Sequence, residues 1–225
     1  MKVFFLTMMG ALILSGARCA TAANAAVLTN ASQRYSYALG MQLAVRLADT
    51  AKSLTNMFDA IACSRALEDN VMLRPFAMTD QEAATVLAQA IAAKNQLDGD
   101  AFRAANAKLP DVVTTPSGLQ YKVMRASAGP RPRPTDQVTV HYRGLLVDGT
   151  EFENSYRNGQ PAVFSLSGPN AVIDGCAEAL QLMAPGSLFR VVVPPQLGYG
   201  VNGAVHTIGP NATLVYEIEL LKIGP

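Results

Sequence analysis

Apolar residues in the first half of the chain recur at the spacing of a helix. Large apolar side chains follow one another at intervals of four residues, at Tyr35, Leu39, Leu43 and Leu47. This spacing places them in one stripe along a helix of about four turns. A second helix is predicted over residues 57–67, which are rich in helix formers.

A third helix is predicted to begin at Thr79, because Thr79 and Glu82 have the spacing of a capping box. Asp98-Gly99 should break or kink this helix, and a short helical piece should follow over residues 101–107. A few short helices bury little surface alone, so we expect their apolar faces to meet a second subunit. The apolar stripe of the third helix consists of Val86, Leu87, Ala90, Ile91 and Leu97.

The second half of the chain alternates between apolar and polar residues, which is the pattern of strands. Strands are predicted over residues 118–123, 138–142, 163–166, 188–193 and 214–220. Asp148-Gly149 lies between two short apolar segments and predicts a hairpin. Residues 176–183 form the one predicted helix of this half, so the fold class is α+β, an antiparallel sheet wrapped on one short helix.

Composition changes near Pro110, from Ala, Leu, Gln and Met to Val, Gly, Pro and Tyr. This change from helix formers to strand formers divides the mature chain into a helical domain, residues 26–109, and a sheet domain, residues 110–225. The 225 residues suffice for two small cores.

Lys plus Arg total 18 and Asp plus Glu total 17, and this balance gives no indication of nucleic-acid binding.

The N-terminus has the pattern of a secretory signal peptide, which we place at residues 1–25. Lys2 precedes an apolar run over residues 3–14, and Ala-x-Ala patterns follow. The alternative is a membrane anchor, but a membrane span needs about 20 apolar residues. Small residues before Cys19 leave lipidation open, although Arg18 does not fit a lipobox.

The remaining polar residues give little support to other kinds of site. Cys63 and Cys176 could form a disulfide, but they fall in different predicted domains, so we expect two free, buried thiols. His141 and His206 are the only histidines, and neither has other ligands at metal-binding spacing. Residues 198–203 match Gly-x-Gly-x-x-Gly, yet no helix is predicted after them, as a dinucleotide site would require.

Four segments of the second half, in order, resemble an FKBP-type prolyl isomerase domain over residues 116–225. They read TPSGLQYKV, VTVHYRGLLVDGTEFENSYRNGQPAVFSL, VIDGCAEALQLMAPG and PPQLGYG followed by IGPNATLVYEIELL. Residues 30–109, with YSYALGMQLA, are similar to the N-terminal domain of Mip-like two-domain bacterial FKBPs. The resemblance implies a homodimer through the helical domain, and location in the periplasm or outer envelope of a Gram-negative bacterium.

The activity that the resemblance implies needs no cofactor and no metal. Amide resonance gives a barrier of about 18–20 kcal/mol to rotation, and Xaa-Pro isomers exchange over tens to hundreds of seconds. A catalyst must bind the twisted amide better than either planar form. An apolar cleft with a few placed donors meets that need, because the twisted amide has lost its charge-separated resonance form. The expected substrates are proline-containing exported polypeptides.

The resemblance also implies which residues form the cleft. Tyr199 offers a hydroxyl donor, Ile173 offers its backbone N–H at the entrance to the short helix, and Ile208 lies on a flap loop. The implied catalytic residues are Tyr142, Phe152, Glu153 and Tyr199, and the implied substrate-binding residues are Phe164, Val172, Ile173, Cys176, Ile208 and Tyr216.

Three positions depart from the family pattern. Cys176 stands where many members have the Trp of the pocket floor, Glu153 replaces Asp, and Ala162 replaces a Phe of some members. A smaller floor predicts a deeper pocket and weak macrolide binding of the FK506 or rapamycin type. The alternative function is a weakly catalytic or non-catalytic periplasmic chaperone with the same fold.

Overall fold

The computed structural model describes Gly40 and residues 60–225 except residues 205 and 206. The predicted signal peptide, the stripe from Tyr35 to Leu47, Cys19 and His206 therefore lie outside the described residues. The predicted second helix is present as α1, Ala60–Val71. It extends four residues beyond the predicted end at Leu67, and its predicted first turn lies outside the described residues.

Helix α2, Asp80–Asn106, begins as predicted at a capping box. The Thr79 hydroxyl accepts from the Glu82 backbone N–H at 3.2 Å, and the Thr79 N–H donates to the Glu82 carboxylate at 2.7 Å. The Thr79 hydroxyl also donates to the Glu82 carboxylate at 2.9 Å, and the bonds from the Thr79 N–H and hydroxyl to that carboxylate lower the pKa of Glu82. This reciprocal pairing satisfies two of the backbone donors that a helix start leaves open.

The predicted break at Asp98-Gly99 is wrong, because α2 continues through both residues to Asn106. Gly99 is buried, and a Cβ added there would lie 2.3 Å from the Thr213 hydroxyl oxygen. The glycine therefore allows the helix to lie directly against the sheet domain. Its cost in helix propensity, about 1 kcal/mol relative to alanine, is offset by that contact.

Replacing Gly99 by alanine should lower the melting temperature, despite the better helix propensity of alanine. The new Cβ overlaps Thr213, and overpacking of this kind costs about 1–3 kcal/mol. Circular dichroism at increasing temperature measures the effect. In a Thr213→Ala background the same substitution should cost less, and an equal loss in both backgrounds would contradict the proposed overlap.

The second half forms a sheet in which the described residues supply seven antiparallel strands. Their order is β1-β2-β6-β7-β3-β4, and β5 also pairs with β3. The strands are β1 Val112–Thr114, β2 Gln120–Arg125, β3 Gln137–Leu146, β4 Glu151–Asn154, β5 Ala162–Ser165, β6 Leu188–Val193 and β7 Leu214–Ile223.

All five strand predictions are confirmed, with small shifts at their ends. The hairpin prediction is confirmed too: Gly149 has a φ of 89°, and the Asp148 carboxylate accepts from the Thr150 N–H at 2.9 Å. Strand β1 was not predicted, because its three residues are too few to show a period.

Helix α3, Asp174–Gln181, packs against the sheet and closes the core. It begins and ends two residues before the predicted bounds. Ala179 and Leu180 are fully buried, as are the inward residues Val138, Val140 and Val191 of the sheet. Each buried Val or Leu side chain contributes about 1.5–3 kcal/mol, so this core holds the sheet around the helix.

Polar side chains attach α2 to the sheet domain, and both lie in one compact unit within Ala51–Pro225. Asn106 donates to the Gln120 side-chain carbonyl at 2.9 Å, and the Gln120 amide donates to the Arg103 carbonyl at 3.1 Å. Asn106 and Gln120 are buried. Across the described residues, no buried side-chain nitrogen or oxygen lacks a hydrogen-bond partner.

The cysteine prediction is confirmed in part. Cys63 and Cys176 are free thiols, and Cys176 is buried, but Cys63 on α1 is only half-buried. Over the same part of the chain, no helix has the length and apolar character needed to cross a membrane. No group of three His, Cys, Asp or Glu side chains among the residues described could hold a metal ion.

Candidate active site

Four aromatic rings meet on one face of the sheet. Tyr142 on β3 lies 5.0 Å from Phe164 on β5 and 6.4 Å from Tyr216 on β7, measured between ring centroids. Phe152 on β4 meets Tyr216 edge-on at 5.7 Å. Strand pairing causes this convergence, because β3 is hydrogen-bonded to all three of the other strands. The edge-on contact is one of the preferred geometries for aromatic pairs, and the other two pairs are tilted.

Gly144 makes room for the Phe152 ring. A Cβ at Gly144 would lie 2.5 Å from Phe152 Cε2 and 3.1 Å from Tyr216 Cε1. The sequence motifs do not point to this residue. The available signal was a glycine inside a strand, which often marks a close approach of another group.

The start of α3 forms a second side of the site. The Val172 N–H donates to the Ser165 carbonyl at 3.0 Å, and the Ile173 carbonyl accepts from the Cys176 and Ala177 N–H groups at 3.0 Å each. The Ile173 N–H, in contrast, donates to no group of the residues that the structure describes. Val172 and Ile173 are half-buried and pack against the aromatic core.

Cys176 lies under this entrance and is buried in the core cluster. Burial, with a smaller contribution from the Glu153 carboxylate, raises the pKa of its thiol. The thiol therefore stays protonated at neutral pH and acts as a small apolar side chain rather than a nucleophile.

Three tyrosine hydroxyls and one carboxylate lie close together at the edge of the rings. Burial is the main cause that raises the pKa of Tyr142, Tyr199 and Tyr216, and the Glu153 carboxylate raises each further. All three hydroxyls thus remain protonated at neutral pH and can donate hydrogen bonds. Tyr199 is 37% exposed and Glu153 is exposed, so this edge of the site faces solvent.

The flap residue Ile208 is buried and belongs to the same core cluster as the rings. Its carbonyl accepts from the Ala204 N–H at 2.8 Å and its N–H donates to the Ala204 carbonyl at 3.2 Å. Eight of the ten predicted site residues thus belong to this core cluster or pack against it, and the other two, Glu153 and Tyr199, lie close enough to Tyr142 to raise the pKa of its hydroxyl. Ala162 is half-buried and packs against the same cluster.

Two family profiles match the chain. Residues 129–221 match the FKBP-type peptidyl-prolyl cis-trans isomerase domain, and residues 32–123 match the domain amino-terminal to it. The outer membrane protein MIP of Legionella longbeachae is 35% identical over 99% of this chain and 97% of its own length. The chain belongs to the FKBP-type peptidyl-prolyl cis-trans isomerase family.

Further relatives of this FKBP agree with that assignment. The FKBP-type isomerase FkpA of Escherichia coli K12 is 35% identical over 93% of this chain and 82% of its own length. The crystal structure of FkpA from Escherichia coli superposes with a TM-score of 0.58 at 33% identity, over 88% of this chain and 99% of that chain. The two-domain architecture is therefore that of a bacterial FKBP, and the chain is a peptidyl-prolyl cis-trans isomerase.

The glycine-rich segment of this FKBP has the surroundings of a turn. This segment, residues 198–203, is connected to β6 by a short 3₁₀ turn, Pro195–Leu197, and contains a second one, Gly200–Asn202. It leads into the flap rather than into an α-helix. Gly203 has a φ of 64°, and a Cβ there would lie 2.3 Å from the Ile208 carbonyl oxygen. These glycines shape the loop that carries Tyr199.

Proposed function

We propose that the isomerase binds the twisted Xaa-Pro amide in the cleft formed by Tyr142, Phe152, Phe164 and Tyr216. The observation that carries this proposal is that these four rings lie together, with protonated tyrosine hydroxyls at the edge of the group that faces solvent. The rings accept the prolyl side chain and exclude water, which disfavours the charge-separated planar amide. Binding energy that is larger for the twisted form lowers the barrier.

The polar groups have separate roles in this proposal. The Ile173 N–H has no partner among the described residues, so it is available to a carbonyl of the substrate. The Tyr199 hydroxyl is a second donor at the solvent-facing edge. Glu153 lies near Tyr142 and orients that hydroxyl, while Val172, Cys176 and Ile208 complete the apolar walls.

Replacing Tyr199 by phenylalanine tests the cleft with the smallest change. The substitution keeps the ring and removes one hydroxyl, so kcat/KM for a prolyl peptide should fall about two- to twelve-fold, the range of one neutral hydrogen bond. A protease-coupled or NMR exchange assay on the full-length protein measures the rate. Tyr121→Phe is the matched control, because the Tyr121 ring stacks on Phe189 away from the cleft.

The control variant should keep the wild-type rate. If both variants lose activity equally, the loss does not come from the cleft. A folded wild type with no rate above background would instead favour a chaperone that holds unfolded clients in the same cleft.

The cleft also supports weak macrolide binding. Cys176 supplies a smaller floor than the Trp of many family members, so less aromatic surface contacts a bound ligand. Competition by FK506 in the isomerase assay measures this affinity, and Cys176→Trp should raise it if α3 accepts the larger ring. An unchanged affinity in a folded variant would count against this role of Cys176.

We also propose a homodimer through the helical domain, residues 26–109. Exposed apolar side chains on the described helices support this, since Val71 at the end of α1 is 78% exposed and Val86 and Leu87 on α2 are more than half exposed. Exposed apolar surface on a helix is available for an interface with a second subunit. The stripe of Tyr35, Leu39, Leu43 and Leu47 would extend it.

The proposed location is the periplasm or outer envelope, after removal of residues 1–25. The charge, apolar run and Ala-x-Ala sites of the N-terminus support export, and the relative from Legionella longbeachae is named an outer membrane protein. The substrates would then be proline-containing exported polypeptides. N-terminal sequencing of the protein from cell envelopes should begin near Ala23 or Ala26, whereas an intact Met1 in the cytosol would contradict export.

A further inference from the structure

Helix α2 contacts the loop that follows the flap. Asn95, which is half-buried on α2, donates from its side-chain amide to the Pro210 carbonyl at 2.8 Å. Gly209 allows this approach, because a Cβ there would lie 2.8 Å from the Asn95 amide nitrogen and 3.0 Å from Ile91 Cγ2. The helix therefore holds a backbone group of the sheet domain through one side chain.

The same peptide group is held from its other side. The Pro210 carbonyl and the Asn211 N–H belong to one planar unit, and the Asn211 N–H donates to the Gly200 carbonyl at 2.8 Å. The Pro210 ring fixes φ before this unit, and Asn211 has a φ of 56° after it. Rotation of the peptide plane would thus break both hydrogen bonds together.

Gly200 directly follows Tyr199, and this links the helix to the cleft. Tyr199 precedes the 3₁₀ turn Gly200–Asn202, and Gly200 has a φ of 58° with open space around it. A glycine in open space restrains its own backbone weakly. The bond from Asn211 is therefore a main restraint on the turn that carries the Tyr199 ring.

We propose that Asn95 is a positioning residue for Tyr199, acting through the Pro210–Asn211 peptide group. The inference rests on the proposed role of the Tyr199 hydroxyl in the cleft. It assigns a function in catalysis to a side chain on α2, outside the residues 129–221 that match the isomerase domain.

Two substitutions at Asn95 separate hydrogen bonding from packing. Asn95→Ala removes the donor, and Asn95→Asp keeps the shape but places an acceptor against the Pro210 carbonyl. Both should lower kcat/KM of the full-length protein about two- to ten-fold, the range of one lost hydrogen bond. Gln96→Ala is the matched control, because the Gln96 amide bonds to Asp100 on the same helix at 3.0 and 3.1 Å.

Amide hydrogen exchange supplies a readout that general destabilisation would not give. In Asn95→Ala, exchange at the Asn211 N–H should accelerate more than exchange at Val191, which is fully buried in β6. Equal acceleration at both amides would mean that Asn95 stabilises the whole domain, and would overturn the proposal. Wild-type activity of folded Asn95→Asp would overturn it as well.

A double variant tests whether the effect passes through Tyr199. Asn95→Ala should change kcat/KM less than two-fold in a Tyr199→Phe background, since the affected hydroxyl is already absent. A full additional loss there would overturn the inference and leave the cleft intact. If Tyr199→Phe alone keeps wild-type activity, the role of Tyr199 fails first, and the inference fails with it.

Discussion

Alanine at Gly144 should lower kcat/KM for prolyl isomerisation about ten-fold or more while the sheet remains folded. The new Cβ would overlap Phe152 at Cε2 and Cζ, 2.5 and 2.6 Å away, and would press on Tyr216. Phe152 is half-buried and can swing outward, which opens the apolar wall to water. A ten-fold loss corresponds to about 1.4 kcal/mol, which lies within the usual cost of overpacking.

A smaller side chain at position 152 serves as the control for this effect. Phe152→Leu lacks the Cε2 and Cζ atoms that the new Cβ would meet, so Gly144→Ala should have a small further effect in that background. Thermal melts establish that each variant is folded. Wild-type activity in folded Gly144→Ala would show that the position of the Phe152 ring is unimportant for catalysis.

Aspartates at Leu39 and Leu43 together should convert a dimer into monomers. The substitutions place two charges on the predicted apolar stripe, and burying an unpaired charge costs more than a dimer of short helices gains. Light scattering gives the mass, and the isomerase rate of the monomer reports whether the sheet domain is still folded.

The matched control carries the same two charges on the sheet domain. Val123 and Met124 on β2 are exposed apolar residues, so Val123→Asp with Met124→Asp should leave the dimer intact. A wild-type mass of one chain would refute the dimer outright. Dissociation in the control as well would mean that the interface extends beyond the helical domain.

Local patterns were sufficient to predict most of the sheet domain. The alternation in β3 and β7, and the turn chemistry of Asp148-Gly149, are properties of a few neighbouring residues. The ten predicted site residues were found through motifs whose order and spacing resemble a family, and eight of them belong to the core of the sheet domain or pack against it. Their chemistry alone would have been consistent with an ordinary core.

Features that depend on distant contacts could not be predicted in this way. Gly99 looks like a helix breaker until Thr213 is placed against it, and Gly144 looks like a weak strand residue until Phe152 is placed over it. Asn95 carries no local signal, because its partner Pro210 lies 115 positions further along the chain. These residues show their function only when the helix and the sheet are assembled.

The contact between α2 and the sheet also determines where the chain can be cut. A fragment that starts at Pro110, the point where composition changes, would lose Asn106 and the Arg103 carbonyl, which together satisfy the buried amide of Gln120. An unsatisfied buried amide costs about 1–3 kcal/mol, a large fraction of the stability of a small domain. The shortest fragment that keeps these partners and the Asn95 contact starts before Asn95, inside α2. This helix lies outside residues 129–221, which match the isomerase domain.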